Sequence, residues 1–407
     1  MRLRQCWLPC SLALGILAGC GGSTGATSDG PAAGAVSGVG AAGTHAGQNS
    51  MGGARAAGGG SSEAGAAGDG PAGAPSGECT AMDLEGLTVF SGGSWDPLGY
   101  PPYALEACSL VYVAPDANGG ALHFRNLTSG DDVELEPAAS KPRRPALAGS
   151  VIAWEVGDYA ASEVRVHYAG KTKTLSGDFD HAGEPRATND AVVFTAFLGP
   201  HPTDDTDVYL YHVDSAELTA MAIGPGQQRF ADVSANEVAV TDFSEDERGY
   251  FDEVQSIADV VIVDRASLVA TTRKRAGKQA FPLFGAGGAL AYLDWGAVHP
   301  EPKFSQFGLR LGYLNQPIEA DIDVTPEPIH TDPAYVRPSL HGSHLDYVDT
   351  QAGVIGLYRY SLETAQAPVL SPVAGPQQLF GPVATDAMTL VATPLQGQTL
   401  ALTAIAR

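Results

Sequence analysis

A short apolar run that returns seven times constrains this chain more than any other feature. It reads Leu110-Val111-Tyr112, Ile152-Ala153-Trp154, Val192-Val193-Phe194, Val238-Ala239-Val240, Leu290-Ala291-Tyr292, Leu345-Asp346-Tyr347 and Leu390-Val391. Taking Tyr112, Trp154, Phe194, Val240, Tyr292, Tyr347 and Val391 as markers, the spacings are 42, 40, 46, 52, 55 and 44 residues. A period of that length is too long for a coiled coil or collagen and matches one propeller blade. Each copy is a unit that cannot bury its apolar face alone, so the copies must stack side by side.

Every copy has the same internal order. A short strand precedes the marker, as in Arg144-Pro145-Ala146-Leu147-Ala148 or Glu184-Pro185-Arg186-Ala187, with proline expected at the strand start, where its missing N–H falls outside the ladder. After the marker comes a variable loop, then an alternating strand such as Val208-Tyr209-Leu210-Tyr211-His212-Val213, a turn, and a fourth strand. The expected fold is all-β: a seven-bladed β-propeller of four-stranded antiparallel blades, strands A to D running outward. Leu127-Thr128-Ser129-Gly130 and Trp154-Glu155 resemble the blade motif of the TolB-like propellers, and the likeness extends over residues 101–407. That resemblance implies a binding module or scaffold, and related propellers include peptidases and sugar-acid lyases. The last copy stops after a C strand, Thr399 to Ile405, so Leu87-Thr88-Val89-Phe90 is expected to supply the missing D strand and close the ring.

The segment before the repeats has a different character. Residues 21–78 hold 19 Gly and 15 Ala and almost no large aliphatic side chain, too little apolar surface to offset chain entropy. They read as a disordered tether; Gly38-Val39-Gly40-Ala41-Ala42-Gly43 fits the dinucleotide pattern only because glycine is so frequent there. Arg2 and Arg4 followed by the apolar stretch Trp7 to Ala18 read as an export signal too short to span a bilayer. Leu17-Ala18-Gly19-Cys20 resembles the lipobox of bacterial lipoproteins. The resemblance implies cleavage before Cys20, a lipid on its thiol, and, with Gly21 rather than aspartate next, placement at the outer membrane or cell surface. Three regions follow: signal 1–19, tether 20–78 and propeller 79–407. Only Cys79 and Cys108 then remain in the propeller, as an export-compatible disulfide or as two buried thiols.

The formal charge of −23 excludes nucleic acid as a general partner and limits membrane contact to the lipid anchor. Against that acidic background, Arg143, Arg144, Arg186, Arg229, Lys278 and Arg337 all lie at the starts of A strands, which surround the mouth of the central channel. Converging cations there would suit a carboxylate or sulfate on a sugar; ion pairs with a neighbouring blade's acid, such as Glu184 or Asp232, are the competing use. The long B–C loops fall in blades 3, 4 and 5, at Leu198 to Asp207, Phe243 to Asp259 and Asp294 to Phe307. They share a face with the Asp321–Tyr335 connection and are expected to hold the binding surface. Asp204, Asp205 and Asp207 are weak candidates for Ca²⁺, lacking the glycine and terminal glutamate of an EF-hand loop, so they read first as solvated acids and no cofactor is required. His341, His344 and Asp346, with Asp349 nearby, have metal-like spacing but sit at an A–B turn on the opposite face. No H-E-x-x-H, G-x-S-x-G or P-loop pattern is present.

These features point to a lipid-anchored binding or scaffold module for a protein or polysaccharide at the cell envelope, with no catalytic residue assigned. The alternative is a lyase or glycosidase on an acidic polysaccharide, with the mouth arginines neutralising carboxylates and His201 or His299 as base.

Overall fold

The computed structural model describes Leu84 and residues 86–406, apart from 92–95, 97–98, 159–160, 176–178, 198–204, 251–255, 297–306, 326–328, 330–336, 352–353, 365, 372–378 and 396–397. Among the described residues the chain forms seven four-stranded sheets. The fold is a seven-bladed β-propeller. In blade 1 the strands Tyr103–Glu106, Ser109–Asp116, Gly119–Asn126 and Asp132–Glu136 pair antiparallel in chain order, and five further blades repeat the plan. The A strand of each blade touches that of the next all the way round, including blade 7 to blade 1, so the A strands form the innermost ring.

The seventh blade closes as the sequence predicts. Its order is Thr88–Phe90, Thr399–Ala406, Met388–Pro394, Phe380–Ala384. The strand from before blade 1 lies antiparallel to the last C strand in the register Thr88 to Ala401, Val89 to Leu400 and Phe90 to Thr399. It supplies hydrogen bonds to an edge that would otherwise be open, and Leu84 and Val89 pack with Leu105, Leu390 and Leu400 across the join.

The seven markers all fall in B strands, and these strands do not alternate. All six residues of Val151–Val156 and all seven of Ala191–Phe197 are buried. Both faces of a B strand meet a neighbouring blade, so a continuous apolar run is the pattern that fits. Exposure rises outward, to Lys171–Thr174 in the D strand of blade 2, where every residue is exposed. The core is therefore a series of layers between blades: Trp154 of blade 2 packs with Val111, Val113 and Leu122 of blade 1, and Tyr292 of blade 5 with Val260 and Ile262 of blade 4.

Four of the prolines sit differently from expectation, while Pro101 and Pro338 precede the A strands of blades 1 and 6 as expected. In five blades the A strand is bulged, with the register shifting between Arg143 and Ala146, Gly183 and Arg186, Arg229 and Asp232, Ala280 and Leu283, and Phe380 and Val383. Pro145, Pro185, Pro282 and Pro382 lie inside these strands at the bulge, where the ladder is interrupted and a missing N–H costs no pairing. The residue before the bulge position adopts left-handed φ in four blades: Arg144 (51°), Glu184 (58°), Phe230 (54°) and Phe281 (58°). Such a conformation is uncommon for side-chain-bearing residues and turns them out of the normal pleat.

Candidate functional site

In blades 3, 4 and 5 the bulge exposes a backbone N–H, and the preceding blade caps it. The N–H of Glu184 in blade 3 donates to Glu155 Oε2 of blade 2 (3.2 Å). The N–H of Phe230 in blade 4 donates to Glu184 Oε2 (3.2 Å), and that of Phe281 in blade 5 to Thr241 Oγ1 of blade 4 (3.1 Å). Gly183 makes room for the first latch: a Cβ there would lie 2.7 Å from Glu155 Oε2. Paired bulges of this kind hold the pre-proline residues rigidly at the innermost ring.

Those residues stopper one end of the ring. Tyr100, Arg144, Glu184, Phe230, Phe281 and Arg337 occupy equivalent places in blades 1 to 6, all but Phe230 directly before a proline, and all are buried. The Tyr100 ring lies 3.8 Å from the Arg337 guanidinium carbon, 5.0 Å from that of Arg144 and 5.0 Å from that of Arg186. Blades 1, 3 and 6 are not neighbours, so contacts among them are possible only across the axis. The Phe281 ring stacks on Phe230 at 4.3 Å, extending the plug through blades 4 and 5.

Most of the predicted cations meet here, and Arg143, Arg144 and Arg229 form ion pairs. Arg144 Nε lies 2.7 Å from Asp96 Oδ2 and its Nη1 3.0 Å from Glu155 Oε2. Arg143 shares Glu155, with Nε 2.9 Å from Oε1. Burial opposes ionisation of Glu155, yet Arg144 and Arg143 together hold its carboxyl below the ordinary range. Arg229 pairs with Glu184 of the preceding blade, and Thr195 donates to the same carboxylate. Arg337 and Arg186 lie over Tyr100, whereas Lys278 leaves the group and sits over the Trp295 ring at 4.3 Å. Sequence reasoning singled out the arginines and Glu184 as an inter-blade partner, which Arg229 takes up, but missed Tyr100, Asp96 and Glu155. The residue before proline in successive copies is the signal that would have found Tyr100.

Beside the plug, on the face of the B–C and D–A connections, lies a cleft of about 500 Å³. It is lined by Phe90 of the closing strand, Tyr100 and Arg144 of the plug, Asn118 of the blade 1 B–C turn, Lys141 of the next connection and Asp158 of blade 2. Lys141 and Asp158 form an exposed pair across it. The cleft thus lies among blades 7, 1 and 2, away from the blade 3–5 loops singled out in the sequence.

Of those loops the structure describes only parts; His201, Asp204 and His299 lie outside the described residues, as do Cys20 and Cys79. Asp207 is buried and accepts from the Gly224 N–H (3.3 Å), while Asp205 is exposed. Asp246 is buried and accepts from the N–H groups of Arg248 and Ile257 (2.9 and 2.7 Å), so it organises its own loop. Asp346 is buried between Arg359 and Thr389, and His341 faces Asp386 (3.3 Å). Among the described residues no three His, Cys, Asp or Glu side chains come together as metal ligands.

Asp259, at the base of the blade 4 loop, gives a pH-dependent expectation. Burial pushes its carboxyl up to about 6, opposed by Lys274 and reinforced by Glu245. An unfolded aspartate titrates near pH 3.9. The folded state therefore holds the extra proton between these values, and the ionised form weighs against folding above pH 6. Asp259→Asn is expected to be more stable than the wild type in urea at pH 7.5, with the difference gone by about pH 4.

No family model and no curated protein matches the chain. Solved structures do. The β-propeller domain of the Trilobed protease from Pyrococcus furiosus, which has an open velcro topology, is 11% identical with a TM-score of 0.54, covering 74% of this chain and 93% of that one. An acylaminoacyl peptidase from Pyrococcus horikoshii is 10% identical with a TM-score of 0.53, covering 76% of this chain and 52% of that one. TolB from Acinetobacter baumannii is 12% identical with a TM-score of 0.44, covering 73% and 66%. At these identities the likeness is one of fold.

Proposed function

We propose that this chain is an exported, lipid-anchored propeller that binds a polysaccharide at the cell envelope through the cleft beside its plugged channel. The cleft is the observation that carries the reading. Its rim combines Asn118, Gln398, Ser91 and the Lys141–Asp158 pair with the aromatic Phe90, a mixture of amide, hydroxyl and apolar groups suited to a hydroxyl-rich chain. The floor is charge-compensated, because Arg143 and Arg144 share Glu155 and Asp96. That balance favours a binder over the lyase or glycosidase alternative, which needs guanidiniums ready to neutralise an incoming carboxylate. A protein partner gripping blades 3 and 4 is the second reading, supported by Ile223 and Ile257, which are 64% and 40% exposed on the same face.

In this reading residues 1–19 are the signal, Cys20 bears the lipid, and 20–78 form the tether. Cys79 and Cys108 form a disulfide that braces the ring closure, since Cys108 is buried in the A–B turn of blade 1 beside the closing strand. The test is retention of the full chain on a panel of immobilised polysaccharides, with Cys20→Ser scored alongside for detergent partitioning. Asn118→Ala with Asp158→Ala is expected to weaken binding about tenfold while leaving the melting temperature unchanged, because both residues are at the surface. If shortening the Phe243–Asp259 loop abolishes binding and the cleft variant does not, the partner grips the rim instead. Partitioning of Cys20→Ser equal to the wild type would refute the anchor.

A further inference from the structure

The blades do not guard their outer edges alike. A D strand pairs on one side only and leaves a row of N–H and C=O groups open to another chain, so such edges are usually blunted by charge, proline or shortness. Asp132–Glu136 of blade 1 has three acids and Lys171–Thr174 of blade 2 two lysines. Gln366–Ser371 of blade 6 contains Pro368, and the outermost strands of blades 5 and 7, Ile322–Asp323 and Thr88–Phe90, are two and three residues long. Leu218–Ala222 of blade 3 has no charge, and Ala270–Arg273 of blade 4 has only Arg273, which is buried. The blade 4 edge also borders a groove of about 700 Å³. Val269 and Thr271 line one side of it, and Leu314 and Ile318, from the C–D connection of blade 5, line the other. Glu237 at the A–B turn of blade 4 and Asp264 at its C–D turn place the groove on the face opposite the cleft. Arg273 fixes the two sides to each other: its Nη1 donates to the carbonyls of Tyr313 and Gln316, both at 3.2 Å, and its Nη2 pairs with Asp321.

The groove is both apolar and acidic. Val269 is 62% exposed and the neighbouring Leu268 49%. Glu237, Asp264 and Glu319 line the space, and among the described residues none of the three has a cationic partner. The arginines of the flanking segments are engaged with other acids, Arg265 with Asp190, Arg273 with Asp321 and Arg275 with Asp294. A second copy of this chain is a poor occupant, since two molecules of formal charge −23 repel each other. We infer that the blade 4 edge docks an extended cationic peptide of another protein, which adds a fifth strand beside Ala270–Arg273. Its alternate apolar side chains would lie between Val269 and Ile318, and its lysines or arginines would meet Glu319, Asp264 and Glu237. Main-chain hydrogen bonds hold such a strand, and the acids select it. The site is on the other face from the cleft and does not depend on the polysaccharide reading.

The probe is the end-blocked octapeptide Lys-Lys-Thr-Val-Thr-Val-Lys-Lys, titrated with the full chain at physiological ionic strength and followed by fluorescence anisotropy and hydrogen exchange. Binding should saturate and should slow exchange in the 268–273 segment. Val269→Lys gives blade 4 the kind of guard that blade 2 has and should weaken the peptide about tenfold, as should Glu319→Lys. Leu218→Lys adds charge to the blade 3 edge instead and should bind as the wild type does, as should Asn118→Ala with Asp158→Ala in the cleft. Val269, Glu319 and Leu218 are exposed, so all three lysine variants should melt with the wild type. The peptide with glutamate in place of lysine should not bind. Along a strand the valine and threonine N–H groups point to opposite sides, so N-methylating one set or the other should abolish binding in at least one case. Binding by both methylated peptides would exclude strand addition and overturn the proposal. So would binding of the glutamate peptide, unchanged exchange at 268–273, or a loss in Leu218→Lys or the cleft variant equal to that in Val269→Lys.

Discussion

Replacing Glu184 with alanine is expected to destabilise the propeller by about 3–5 kcal/mol, the cost of leaving a buried charge without its partner. Glu184 is fully buried and does three things at once. It neutralises Arg229, accepts the Phe230 N–H at the blade 4 bulge, and accepts the Thr195 hydroxyl of its own blade. Alanine removes all three interactions, and Arg229, 3% exposed, cannot reach bulk water. Glu184→Gln keeps an acceptor for the bulge and should lose less. The double variant Glu184→Gln, Arg229→Met removes both charges and should recover part of the stability, because an absent ion pair costs less than half of one. Urea denaturation of the four proteins tests this. A loss below about 1 kcal/mol in Glu184→Ala would mean that the latch is not what joins blades 3 and 4.

The second large effect is expected at the ring closure. A chain beginning at Cys79 should melt at the temperature of the longer one, because the Gly/Ala-rich segment contributes no core. A chain beginning at Ser91 should aggregate. It lacks Leu84 and Val89, both nearly or wholly inaccessible, and leaves the outer edge of Thr399–Ala406 without its partner strand. The two truncations differ by only twelve residues, so size-exclusion profiles and melting curves, taken with Cys108→Ser in both chains and Cys79→Ser in the longer one, isolate the closing strand. Val89→Asp in the longer chain gives a point-mutant check. It keeps the backbone ladder and buries a carboxylate among Leu105, Leu390 and Leu400, so it should destabilise without changing the topology. A soluble, cooperatively melting chain that begins at Ser91 would show that three strands suffice for blade 7.

The sequence by itself determined the class of fold, the number of blades and the means of closure. All three rest on local signals: an apolar triplet followed by loop and alternating strand, a period near one blade, and a final copy one strand short. Such signals survive in sequence because each strand's burial is set by its own few residues and its immediate neighbours. Even so, proline does not mark the strand start in every copy: Pro145, Pro185, Pro282 and Pro382 lie inside bulges, because a bulge adds one residue without altering composition or period.

What only the tertiary structure decided is what the innermost residues do. Arg144 and Arg186 read alike in sequence, each beside a proline in an A strand, but Arg144 precedes its proline and Arg186 follows it. That two-position difference, combined with left-handed φ at the position before proline, gives Arg144 the carboxylates of Asp96 and Glu155 and leaves Arg186 over the Tyr100 ring. Asp96 is 48 residues from Arg144, and Tyr100 meets Arg337 from the far side of the ring. Pairings of that kind are set by ring closure, which brings together residues with no local correlation, so their charge balance became visible only once seven blades had fixed which side chains share the axis.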